Sequence, residues 1–363
     1  MKYLEKIFKL LFLIAFLFLS SCSEGPTGPG FLSYNWQTST PEEQGMDSGL
    51  LEEAFGQGDS RGFVDCILVI RNGYIVAEQY YNGFGKDVPH NVKSVSKSFL
   101  SAMTGIALRD GHLANLNLKM LDFFTEYLYP TIDPRKFNIT IRNLLMMRAG
   151  IDHERNNYSQ IYNSSNWIKT TIEFPLLYDP GSTFSYNTFQ THLLSAIITI
   201  ASGINTREFA ENNLLEKLNI ELGNWQQGPQ GYYFGGNNMY LKPRDMAKLG
   251  FLYMKLGRMF GEQIVPADWV EESLTNYTNF SGTNNWGDLH NVNYGYLWWL
   301  GEINNHKVFL AIGYGGQFVI NFPDLNMIVV TTADSNLGWG TADEHERSIL
   351  SIVADYIVPA VNQ

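Results

Sequence analysis

Strand-forming runs crowd the two ends of this chain, and helix-patterned sequence lies between them. Val64-Asp-Cys-Ile-Leu-Val-Ile70 and Tyr74-Ile-Val-Ala-Glu-Gln-Tyr80 are β-rich, and the Asn72-Gly73 between them is a strong hairpin signal. Near the other end, Lys307 to Ile312, Gln317 to Phe322 and Met327 to Thr332 repeat the pattern, with a turn at Asp324-Leu-Asn326. Helical spacing marks Asp47 to Phe55, Ser94 to Arg109, Thr140 to Met147, Thr188 to Ala201, Thr206 to Leu218 and Pro243 to Lys255. Thr341-Ala-Asp-Glu344 has the capping-box pattern and opens a last helix to about Tyr356. Asn and Gly cluster at 223–238 and 276–293 as loops. This arrangement points to one antiparallel sheet closed by the two termini. The expected class is α+β, an α/β sandwich with a helix-rich subdomain at about 113–290.

The first residues stand outside that domain. Lys2, Lys6 and Lys9 give a basic start, Leu10 to Leu19 is an unbroken apolar run, and Ser20-Ser21-Cys22 follows. Such a run is too short to span a bilayer, which needs about 20 residues. Residues 1–21 read as a secretory signal. Leu19-Ser20-Ser21-Cys22 resembles a bacterial lipobox, which implies lipidation of Cys22. Residues 22–34 are rich in Gly and Pro and read as a tether. The expected partner is thus a membrane, reached through a lipid anchor. The expected location is the cell envelope, on a periplasmic or cell-surface face.

Losing residues 1–21 would remove three Lys and one Glu, taking the net charge from −11 to −13. An acidic chain without basic clusters is not built for nucleic acid. Cys66 would be the single remaining cysteine, so no intrachain disulfide forms, and its apolar surroundings make it a core residue.

Chemistry concentrates around Ser94-x-x-Lys97, a spacing that recurs nowhere else in the chain. On a helix, positions i and i+3 share a face, which places a hydroxyl beside an amine. That pairing activates a serine as a nucleophile. The expected burial and the helix N-terminus both disfavour a charged Lys97. Two further segments could complete a site. In Asp179-Pro-Gly-Ser-Thr-Phe-Ser-Tyr186, a turn sets a phenol just before a helix. Beside an ammonium its pKa would fall, and it could share the serine's proton. In Gly313-Tyr-Gly-Gly316-Gln317, glycines at a strand entry would let a substrate approach the backbone. A strand-edge N–H there, with that of Ser94, would make an oxyanion hole.

Taken in order, Ser94-x-x-Lys97, Pro-Gly-x-x-Phe-x-Tyr186 and Gly-Tyr-Gly-Gly-Gln317 resemble the β-lactamase-related serine hydrolases. That family includes class C β-lactamases, D-Ala-D-Ala peptidases, β-lactamase-fold esterases and 6-aminohexanoate-dimer hydrolases. Pro41-Glu-Glu-Gln-Gly45, Ile139-Thr-Ile-Arg-Asn-Leu-Leu145 and Tyr294-Gly-Tyr-Leu-Trp-Trp299 fit it too, so the resemblance spans roughly 35 to 358. It implies the β-lactamase/transpeptidase-like fold and a cofactor-free, metal-free acyl transfer. Ser94 would be the nucleophile, Lys97 its base partner and Tyr186 the second-motif tyrosine. Gln317 would supply an oxyanion-hole N–H. Tyr314, Gly315, Gly316 and Asn187 would contact a small-molecule or peptide acyl substrate.

The chain departs from the penicillin-recognising pattern twice. Thr188 stands where Tyr-x-Asn has its Asn, and Asn187 is shifted by one. Tyr314 replaces the Lys or His that opens the third motif, so no cation stands there at neutral pH. These departures favour an ester or amide substrate over β-lactams and D-Ala termini, unless another Arg supplies the charge. The rivals are a D-Ala-D-Ala carboxypeptidase, peptidoglycan peptidase or β-lactamase, and a non-catalytic surface binding protein on the same scaffold.

Several other features take plainer readings. Trp286, Trp298 and Trp299 read as packing, Asp152-His153-Glu154 as a solvated loop, and Tyr277-Thr-Asn279 as a chance copy of the second motif. His345 lacks the second His of a zinc-protease helix.

Overall fold

The computed structural model describes residues 35–278, 280 and 284–362. The signal, Cys22 and the tether therefore lie outside the described residues. Eight strands form the main sheet: β1 (Gln37–Thr38), β2 (Val64–Arg71), β3 (Tyr74–Tyr80), β4 (His290–Tyr294), β5 (Trp299–Ile303), β6 (His306–Gly313), β7 (Gln317–Phe322) and β8 (Met327–Ala333). Their order is β1-β3-β2-β8-β7-β6-β5-β4. β2 from the first half pairs antiparallel with β8 from the end, with Ile70 opposite Ile328 and Leu68 opposite Val330. The two ends of the chain thus close one sheet. Every pairing in it is antiparallel except that of short β1 with β3.

Local sequence explains the hairpins. Asn72 and Gly73 both take positive φ, 53° and 85°, the requirement of a tight hairpin turn. β7 and β8 are buried at every position, so helices must cover both faces. On one face, α1 (Ser48–Arg61) brings Leu51 and Ala54 and the C-terminal helix brings Ile349 and Leu350 against Val69, Phe318, Ile320 and Val329. On the other lies the helix Pro243–Met254, whose Gly250 sits so close to β7 that a Cβ would meet Asn321 Oδ1 at 2.2 Å and Val319 Cγ1 at 2.9 Å. Side chains alternate along β7, so both helix layers find an apolar surface. Cys66 is fully buried within the sheet.

Three elements differ from the sequence expectation. β4 forms inside a stretch read as loop: its Asn-rich sequence is a poor strand former, and Asn291 at φ 52° interrupts the pairing. The C-terminal helix begins earlier, at Trp339 after Gly338, so Thr341 lies within its first turn and caps nothing. The 206–218 stretch is α-helical only over Thr206–Ala210 and then widens into a π-turn. Among the described residues no helix is long and apolar enough to cross a membrane.

Candidate active site

Ser94 sits in a short 3₁₀ turn, Lys93–Val95, that leads into α2 (Ser96–Arg109). The turn is pinned from both sides. His90-Asn91 pairs with Tyr240-Leu241, and Val92 N–H donates to Met239 O at 2.9 Å. Lys93 takes φ 50°, a conformation unusual for a long side chain, and its N–H donates to Asn91 Oδ1 at 3.1 Å. Backbone held this way just ahead of a reactive group is a common mark of functional sites. The i, i+3 spacing then brings Lys97 Nζ to 2.7 Å from Ser94 Oγ.

Lys97 is 1% exposed. Its other contacts are Gly236 O at 2.8 Å and Thr188 Oγ1 at 3.0 Å. Burial pushes the amine down to about 7, against the Glu154 carboxylate, which favours the charged form. A neutral amine has two N–H bonds and one lone pair. Given to the Gly236 carbonyl and the Thr188 hydroxyl, the two N–H bonds leave the lone pair for Ser94, the geometry of a base.

The second motif differs from expectation. Asn187 does not enter the site. It caps the helix α3 (Thr188–Ser202), its Oδ1 accepting from Phe189 N–H at 2.9 Å, and its Nδ2 donates to Asp152 O at 2.8 Å and Asn157 Oδ1 at 3.0 Å. Being the cap residue forces its side chain onto the helix end. Thr188, one residue on, reaches Lys97 instead. The Asn187 bonds also tie down residues 152–157, and so bring in Glu154. Glu154 is 6% exposed, not solvated, and its Oε2 accepts from both the backbone N–H of Thr188, at 2.8 Å, and the Thr188 hydroxyl.

Tyr186 lies with its ring centre 4.9 Å from Lys97 Nζ, stacked on Trp299. Its pKa does not fall beside the amine. Burial, then Glu154, holds it well above the ordinary phenol value, and contact with Ser94 pulls only partly the other way. Tyr186 is therefore a neutral phenol, and Lys97 is the group that titrates near neutrality.

Of the third motif, Tyr314 lines the cleft and its hydroxyl donates to Leu337 O at 2.8 Å. The glycines beside it are required by packing behind the loop. A Cβ on Gly315 would meet Asp334 O at 2.7 Å, and one on Gly316 would meet Ile349 Cδ1 at 2.4 Å. The Gly315 N–H is already given to Glu346 Oε1 at 2.8 Å. The Gln317 side chain turns to Ala333 O at 2.6 Å, and the residue is buried and lies outside the residues that line the Ser94 cleft.

The cleft has a volume of about 340 Å³ and contains Ser94. Phe184, Tyr186, Trp286, Trp299 and Trp339 form aromatic walls. Trp286 and Trp299 thus face the cleft, whereas Trp298 is packing, fully buried against Tyr253 and Phe309. Arg155, stacked on Trp339, and Arg347, paired with Asp343 at 2.8 Å, bring cations that the Tyr314 position lacks. Buried Glu346 is raised to about 8, chiefly by burial. Tyr277 stacks on Tyr296, and Asn279 lies outside the described residues. Among the described residues no cluster of His, Cys, Asp or Glu is placed to hold a metal ion.

Glu154, Arg155, Gly236 and Glu346 were not singled out as site residues by the sequence. Each enters through contacts distant along the chain, and no local motif marks them. Gly236 is testable. A Cβ there would meet Thr191 Oγ1 at 2.2 Å, Thr188 Cγ2 at 2.9 Å and Lys97 Nζ at 3.1 Å. Gly236→Ala should therefore lower kcat for an ester by about 100-fold while the protein stays folded, because the amine is displaced. Wild-type kcat in a folded variant would show that the amine's seat tolerates the shift.

Residues 49–354 match the family model described as Beta-lactamase. The 6-aminohexanoate-dimer hydrolase of Paenarthrobacter ureafaciens is 26% identical over 227 residues, covering 58% of this chain and 57% of that one. The octameric penicillin-binding protein homologue of Pyrococcus abyssi superposes with a TM-score of 0.66 at 17% identity, over 87% of this chain and 78% of that one. The D-stereospecific amidohydrolase of a Streptomyces species gives 0.65 at 13% identity, over 85% and 99%. The two structural likenesses show the fold. The match over residues 49–354 establishes that this chain belongs to the beta-lactamase family of hydrolases.

Proposed function

We propose that the protein is a serine hydrolase that cleaves carboxylic esters or amides through an acyl-enzyme on Ser94. The observation that carries this reading is the buried Lys97 amine, near-neutral in pKa and 2.7 Å from Ser94 Oγ. Neutral Lys97 takes the hydroxyl proton as Oγ bonds to the acyl carbon. The bond to the leaving group then breaks, and the leaving group departs with a proton passed from Lys97 by way of the Tyr186 phenol. Water attacks the Ser94 ester by the reverse route, releasing the acid and restoring the hydroxyl. The N–H groups of Ser94 and Gln317 are assigned to the developing oxyanion, following the family resemblance. The aromatic walls suit an acyl or leaving group with apolar surface.

A second reading, a D-Ala-releasing peptidase, draws on Arg155 in the cleft, where a substrate carboxylate would find a cation. One experiment separates them. The full chain is exposed to a fluorophosphonate and its peptides mapped by mass, and ester turnover is compared with D-Ala release from a pentapeptide. An adduct on Ser94 with ester turnover and no D-Ala supports the proposal. D-Ala release favours the second reading. A folded protein with no adduct on Ser94 sinks both and leaves a binding role.

A further inference from the structure

We propose that Glu154, acting through the hydroxyl of Thr188, is a positioning residue that aims the Lys97 nitrogen at Ser94. This rests on the roles given above to Ser94 and Lys97. A carboxylate oxygen only accepts, and the same Oε2 of Glu154 takes both the N–H and the O–H of Thr188. The Thr188 proton is thereby committed away from the site. Its oxygen is left to face Lys97 as an acceptor, 3.0 Å away. The Gly236 carbonyl, at 2.8 Å, claims a second N–H. The third direction on nitrogen is then fixed on Ser94 Oγ.

Without Glu154, the Thr188 hydroxyl could turn and donate to the amine. That would occupy the lone pair that must receive the serine's proton. The pairing also gives Thr188 a reason at this position. Threonine is too short to reach further and set its own direction, and the buried carboxylate behind it does so. Lys97 is faced by Ser94 from its own turn, by the Tyr186 ring, by the Gly236 carbonyl, and by Thr188 with Glu154 behind it. Glu154 is the charge that acts on it.

The test follows the rate of Ser94 labelling by a fluorophosphonate from pH 5 to 9, using the full chain and intact mass. Glu154→Gln keeps an acceptor for both Thr188 donors and removes the charge. Its labelling midpoint should move to lower pH by about one unit, because the charged amine loses its partner. Thr188→Val keeps the shape and removes the relay, and should label at least about tenfold more slowly at the plateau. Thr188→Ser should stay within about threefold of wild type. A midpoint is read within one variant, so it does not depend on how much of that variant is folded. An unmoved midpoint in Glu154→Gln overturns the inference, as does a Thr188→Val that labels like wild type. Failure of the wild type itself to label would overturn the Ser94 reading, a separate and visible result.

Discussion

Replacing Ser94 by alanine should lower kcat/KM for an ester by about 10⁴-fold, and replacing Lys97 by methionine should cost a similar factor. The double variant should lose no more than either single one. In the proposed mechanism the two side chains share one proton: Ser94 Oγ would be a weak nucleophile until Lys97, 2.7 Å away, takes it. Once either is gone the other has no task, so their free energies cannot add. What remains is binding in the cleft and hydrogen bonding to the oxyanion, which the substitutions leave in place. Ser94 is half-buried in a turn fixed by the backbone, so its loss should leave the fold intact. The measurement is steady-state kinetics on the four proteins, with melting curves beside them. Losses that multiply in the double variant would mean that Ser94 and Lys97 act separately, and the shared-proton mechanism would fail.

The same pair shows what a sequence can and cannot carry. Ser94 and Lys97 were legible because three residues of helical spacing put them in contact whatever else the chain does. The sheet was legible for a similar reason. Asn72-Gly73 dictates its own turn, and the C-terminal strands are apolar enough to demand a partner. Asp152-His153-Glu154 misled because three polar residues in a row look solvated. The cap made by Asn187 and the bonds of Glu154 to Tyr186 and Thr188 fold that loop inward, and the two anchoring bonds of Asn187 cross 30 and 35 positions. Tyr186 misled differently. An ammonium neighbour would lower its pKa, but burial empties the amine of charge and raises the phenol at once. The sign of that shift depends on exclusion of water, which no spacing encodes.

Exclusion of water also makes Lys97 costly, and this gives an effect on stability as large as any on rate. An unfolded lysine titrates near 10.5, and Lys97 in the fold near 7. Below pH 7 the amine is charged in both states, and the folded state bears the full cost of burying that charge. Between 7 and 10.5 the fold holds the neutral amine while the unfolded chain stays protonated, so the cost shrinks as pH rises. Above 10.5 both are neutral and it is gone. The interval corresponds to a cost on the order of 5 kcal/mol at low pH. Lys97→Met removes the charge and keeps most of the volume, though it gives up the contacts with Gly236 and Thr188. The inactive variant should therefore melt well above wild type at pH 6, and the gap should close toward pH 9. Glu346 and His90 also titrate away from their usual values, at about 8 and about 4, but they are present in both proteins and cancel in the difference. Wild-type kcat/KM should rise with pH over the lower part of the same window, with a midpoint near 7, because the form that burial favours is also the form that accepts the Ser94 proton. A melting gap that ignores pH, or an acid limb far below 7, would place the working base elsewhere. A gap and a limb that move together would mean that stability lost in burying Lys97 is what makes it a base.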